Sequence, residues 1–112
     1  MTTYHSTRNA EKTLTASQAI LQGIAPDGGL YVPDHIPALD IALDRLADMT
    51  YQELAYEVMK NFFDDFTEEE LKHCVNAAYD DKFDDSTIVP LVKAGGHHYL
   101  ELFHGPTIAF KD

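Results

Sequence analysis

The sequence is poor in positive charge. Eight Lys and Arg face 19 Asp and Glu, a formal net charge of −11 with histidine neutral. That deficit excludes phosphate-backbone recognition, which needs clustered cations, so no nucleic-acid partner is expected. It also disfavours an anionic membrane and fits a soluble, self-repelling surface. Cysteine is nearly absent: Cys74 stands alone, so no disulfide can form within a monomer, and a reducing, cytoplasmic setting is expected. No apolar run approaches the ~18–20 residues of a membrane span. The first residues, Met1 to Arg8, lack the apolar centre of a signal peptide.

Several chemistries are missing as well. There are six histidines, His5, His35, His73, His97, His98 and His104, and none forms an HExxH or a paired Cys/His pattern. His97 and His98 are neighbours and on a strand face opposite sides. The acidic pairs at Asp64-Asp65 and the run Asp80 to Asp85 lack the central glycine and terminal glutamate of a calcium loop. No metal site is expected. Ser6 and Ser17 have no triad partners, and Asp27-Gly28-Gly29 reads as a turn rather than a phosphate loop.

What is present is ordinary globular material, 45 % apolar and 24 % charged. A chain of this size hides roughly 60–70 % of its unfolded surface. Residues 2 to 8 suit a short strand. Three Thr-x-x-Gln/Glu sequences have capping-box spacing: Thr15 with Gln18, Thr50 with Glu53, and Thr67 with Glu70. The first opens a helix over 16 to 22, stopped by Gly23. The second precedes a stripe of Leu54, Ala55, Val58, Met59 and Phe62; the third precedes Leu71, Cys74, Val75, Ala78 and Tyr79. These two helices should form a hairpin, with Cys74 a buried, inert thiol. A weaker helix is predicted over 40 to 48, and a brief strand at Leu30-Tyr31-Val32. Beyond the acidic joint, 88–92 and 99–103 read as strands joined at Gly95-Gly96. The fold class is α+β, with a boundary near residue 85. The last two strands would have open edges, exposing Ile88, Val89, Leu91, Leu102 and Phe103, and such edges invite self-association.

The residue with most chemical promise is Lys111. A lysine amine condenses with an aldehyde when it is uncharged and held against the carbonyl, which suits an apolar, water-poor site. Ile108, Ala109 and Phe110 are apolar neighbours, and Gly105-Pro106 makes a bend just upstream. By itself a lysine near a chain end is a solvated charge. Its setting changes that reading.

Three stretches together resemble threonine synthases: Tyr4-His5-Ser6-Thr7-Arg8, the run from Gln22 to Pro33 containing DGGLYVP, and Glu101 to Asp112 containing HGPT-x-AFKD. Tyr51 to Ala55 also looks like that family's small N-terminal domain. The likeness spans essentially the whole chain. One departure is Asn9, where members commonly carry glycine; both tolerate turn geometry.

The resemblance implies a fold-type II pyridoxal-phosphate enzyme converting O-phospho-L-homoserine and water to L-threonine and phosphate. Lys111 would hold the cofactor as a Schiff base, with Phe110 beside the cofactor pocket. His104 and Thr107 would lie near substrate, and Asp112 would begin or cap the next helix. Residues 1–84 would be the mainly helical N-terminal domain with short strands, and 85–112 the first strands of the catalytic α/β domain. The glycine-rich cofactor loop and most substrate ligands of the family lie further downstream, so the chain alone is expected to be inactive. Two alternatives remain: a threonine-synthase-like phospholyase fragment, and a non-catalytic acidic interaction module.

Overall fold

A computed structural model describes residues 1–112. All three capping boxes form, and each starts a helix. Helix α1 is Ala16–Gln22, α3 is Tyr51–Met59 and α4 is Glu68–Ala78. At α4 the Glu70 amide donates to Thr67 Oγ1 at 3.2 Å, while the Thr67 amide donates to Glu70 Oε2 at 2.9 Å. This reciprocal pairing satisfies two amides that a helix start otherwise leaves bare. Helix α2, Leu43–Ala47, follows Ala42, which offers no side-chain cap, and it runs for five residues only. The sequence predicts a longer helix there; without a cap, and with Leu43 80 % exposed, nothing sustains it.

Strand β1 (Tyr4–Ser6) lies between β2 (Asn9–Leu14) and β3 (Tyr31–Pro33), antiparallel to both. The sequence reading missed β2. Its residues Asn9 to Thr13 are all exposed, so no apolar alternation marks it. Pairing to β1 makes it a strand, with a register break between His5 and Ser6.

The core is small. Tyr4, Ala16 and Ala19 are buried together, with Tyr31 and Phe63 packed against them. The loop after α3 ties itself to this sheet. The Tyr4 hydroxyl donates to the Phe62 carbonyl at 2.7 Å, the Thr2 amide to Asp64 at 2.7 Å, and the Ser17 hydroxyl to Asp65 at 2.6 Å. Helices α3 and α4 pack on each other, and α4 buries Leu71 and Val75. Only 11 of 112 residues are buried, and the radius of gyration is 16.3 Å. A compact domain of this length would have a radius of about 13 Å, so the molecule is drawn out, 47 Å along its longest axis.

Strands β4 (Leu91–Ala94) and β5 (His97–Leu100) form a separate two-stranded hairpin. Gly95 and Gly96 both have positive φ, 56° and 80°, which suits the two-residue turn that matches strand twist. The strands lie closer to this turn than the predicted 88–92 and 99–103. Two features cut β4 short. Pro90 has no amide to donate. Upstream, the Asp85 carboxylate accepts from the Thr87 amide at 2.8 Å and from its hydroxyl at 2.6 Å, coiling the chain into a turn. Ile88 leaves that turn at φ 67°, rare for a β-branched residue, and is 3 % exposed, not exposed as expected. Cys74 is exposed rather than buried, lining an apolar groove with Ile20, Met59, Phe63 and Phe66. The groove is open, so facing it does not bury the thiol.

Candidate functional site

The site is built on the segment that leaves β5. Beyond Phe103 and His104 the chain folds back in a tight turn. The Ile108 amide donates to Gly105 O at 3.0 Å, and the Asp112 carboxylate accepts from the Thr107 amide at 2.9 Å and its hydroxyl at 2.6 Å. The Thr107 hydroxyl bond, with the amide bond behind it, holds the Asp112 carboxyl below the usual range. Gly105 is required by close approach: a Cβ there would sit 2.6 Å from Asp112 Oδ2. The turn therefore has a fixed shape, and Lys111 projects from its end.

Lys111 lines a cleft of about 250 Å³. Tyr51, Tyr79, Phe83, Ile88, Val89 and Leu102 line it, with His104, Phe110 and Asp112. The aromatic wall is ordered by contact: Tyr51 meets Tyr79 edge-on at 4.8 Å between centroids, and Tyr79 meets Phe83 at 5.9 Å. Burial pushes the Tyr51 hydroxyl above its ordinary pKa. None of the seven ion pairs involves Lys111. Lys111 is exposed, and Phe110 is 84 % exposed at the rim. The apolar surroundings come from these lining residues and not from the expected Ile108, which is 75 % exposed.

His104 is held more tightly. Its Nε2 lies 2.7 Å from Glu101 Oε2 and its Nδ1 contacts Asp84. The Phe103 ring stacks on it at 4.5 Å. Glu101 first, and then Asp84, raise the His104 pKa above its usual value. The structure thus brings Lys111, Phe110 and His104 to one cleft. Thr107 instead spends its hydroxyl on Asp112. The sequence gives no site role to Tyr51, Tyr79, Asp84, Glu101 or Ile88. The signal for Glu101 was present as its three-residue spacing from His104; Asp84 looked like solvated loop charge.

A wider groove of about 880 Å³ runs between α3 and α4 past Arg45, Asp48, Glu53, Lys72 and Asp80. It meets the Lys111 cleft only at Tyr79, and several of its charges are engaged locally: Glu53 with Thr50, Lys72 with Glu68, Asp80 with Lys82. Volume alone does not make it the site.

The residues around Lys111 suit the aldehyde end of pyridoxal phosphate. They offer an amine in no ion pair beside apolar side chains, with the neighbouring Asp112 carboxylate hydrogen-bonded to Thr107. They do not hold its phosphate: the other basic side chain in the cleft is His104, both of whose ring nitrogens are taken.

Comparison with known proteins places the chain. The profile of the threonine synthase N terminus matches residues 3–79. Threonine synthase of Corynebacterium glutamicum is 43 % identical over 117 residues, covering 97 % of this chain and 24 % of that protein. The crystal structure of yeast threonine synthase superposes with a TM-score of 0.85 at 36 % identity, over 97 % of this chain and 23 % of that one. The pyridoxal-phosphate-bound threonine synthase of Brucella melitensis gives 0.83 at 34 % identity, over 99 % and 24 %. The chain spans about a quarter of the length of these relatives. With the profile matched over more than half its residues, the chain belongs to the threonine synthase N-terminal family.

Proposed function

We propose that this chain is the N-terminal part of a pyridoxal-phosphate-dependent threonine synthase. The whole protein would be a cytoplasmic lyase that converts O-phospho-L-homoserine and water to L-threonine and phosphate. Residues 1–84 would form its N-terminal domain, and 85–112 would open its catalytic domain. The observation that carries this reading is the unpaired Lys111 amine on a turn fixed by Asp112, beside an apolar wall.

Lys111 would hold the cofactor through its amine, with Phe110 at the rim of the same cleft. Bound there, pyridoxal phosphate supplies an electron sink for carbanion chemistry. The chain's own residues would position that amine. Asp112 and Thr107 fix the direction from which Nζ approaches. Leu102, Ile88 and Phe83 give the amine a water-poor side, and Nζ is the group placed to carry a proton. His104, with both nitrogens bound, keeps its neighbours in place; Thr107 acts through the turn. The cofactor phosphate and the substrate phosphate call for further cations, and Lys111 and His104 are the only basic side chains lining this cleft. The 112-residue chain alone is therefore expected to be inactive.

The test is direct. The chain is mixed with pyridoxal phosphate, reduced with borohydride and mapped by mass spectrometry. Preferential labelling of Lys111 over Lys93 supports the reading; equal labelling of all lysines overturns it. In the whole protein, threonine and phosphate should form in equal amounts from O-phospho-L-homoserine; release of a 2-oxo acid would make it a phospholyase.

A further inference from the structure

We infer that His104 is a positioning residue, a clip that fastens the Lys111-bearing turn to the acidic joint following α4. Three contacts place it. Asp84, in the joint, holds Nδ1, and Glu101, just after β5, holds Nε2 at 2.7 Å. The Asp84 amide also donates to the His104 carbonyl at 3.0 Å, so residues 84 and 104 are joined twice. The side chain is 14 % exposed and lies under the Phe103 ring. His104 and Lys111 line the same cleft.

The donor inventory makes the clip depend on charge. A neutral imidazole has one N–H and one lone pair, whereas the imidazolium has two N–H groups. Two carboxylates on the two ring nitrogens therefore need the imidazolium. When the ring loses its proton, a lone pair faces a carboxylate and one contact must open. The groups around the ring favour the charged form. Asp84 and Asp85 approach from the joint, Glu101 from its own segment, and Asp112 from the terminal turn. Lys111, Tyr51 and Tyr79 also line the cleft.

The sign follows. The folded midpoint of His104 lies above the unfolded value of about 6.5. The stabilisation is fully present below that value and is lost as pH rises through the folded midpoint. The catalytic meaning of the clip rests on the proposed role of Lys111; the clip itself does not.

The test uses this chain. His104 is titrated by NMR while amide-exchange protection factors are followed at Thr107 and Ile108. A midpoint above about 6.5, with protection falling several-fold through it, supports the clip. In the Asp84→Asn/Glu101→Gln pair the midpoint should fall back and the pH dependence of protection should vanish, with far-ultraviolet circular dichroism unchanged. A midpoint at or below the ordinary value, or flat protection through it, overturns the clip. The wild-type titration decides the matter even if the double variant does not fold. Borohydride labelling of Lys111 is read separately, so loss of the cofactor reading is distinguishable from loss of the clip.

Discussion

Around Tyr4 the chain closes on itself; around Leu91 it does not. Tyr4, Ala16 and Ala19 are 8 %, 2 % and 8 % exposed, and the loop after α3 is hydrogen-bonded back onto β1. On the hairpin, Leu91, Tyr99 and Leu100 are 65 %, 52 % and 56 % exposed. Both regions carry apolar side chains on a strand. The difference is what lies across from them: α1 and Phe63 cover β1, whereas β4 and β5 pair only with each other. An apolar strand makes a core only when a second layer faces it. The site belongs to neither region alone. Its cleft takes Tyr51 and Tyr79 from the helices and Leu102 and Lys111 from the hairpin side.

Substitutions can break or sharpen this contrast. The largest effect should come from the site itself. On the proposed cofactor-holding role of Lys111, Lys111→Ala in the whole protein should cut threonine formation by several orders of magnitude, with the urea midpoint of this chain unchanged; steady-state assay and unfolding check the two halves. Next comes the covered region. Leu71→Ala, at 6 % exposure, should cost about 2–5 kcal/mol in denaturant unfolding. Thr67→Ala removes a cap seen in both directions and should cost about 1 kcal/mol.

Acid should act on the same helix starts. Bonds from the Thr67 backbone and hydroxyl hold the Glu70 carboxyl below its usual range, and Thr50 does the same for Glu53. Lowered folded values mean stability that is present above the unfolded pKa of about 4.3 and is lost as pH falls through the folded values. Helicity should therefore decline on acidification through that window. Glu70→Gln keeps an acceptor but not the charge, and should flatten the decline in circular dichroism. The smallest effect should be on the hairpin. Leu91→Lys should change stability by no more than about 0.5 kcal/mol, yet reduce concentration-dependent association in sedimentation, since a charge on an open edge opposes pairing.

Much of the fold was legible wherever a local rule sufficed. The boxes at Thr15, Thr50 and Thr67 each marked a real helix start, because a cap is made by residues three apart. Helix α1 runs over the expected 16–22. What was not legible depended on distant partners. Strand β2 has no apolar alternation and exists through its pairing with β1. Ile88 looked like a strand residue and became a buried turn residue, because Asp85 recruits Thr87 and the side chain turns into the cleft. Cys74 kept its place on the apolar stripe but not its burial, since no element closes the groove over it. At the site, the run from Glu101 to Asp112 was visible as a motif. The partnership of His104 with Asp84 was not, for the two lie 20 residues apart.

The sequence alone determined the helix starts, the hairpin turn and the chemistry available at Lys111, because those depend on neighbours within a few residues. Tertiary structure decided which apolar residues have cover, that β2 is a strand, and that Asp84, Glu101 and His104 meet beside Lys111. Those outcomes depend on which segments come together in space, and no local spacing encodes that.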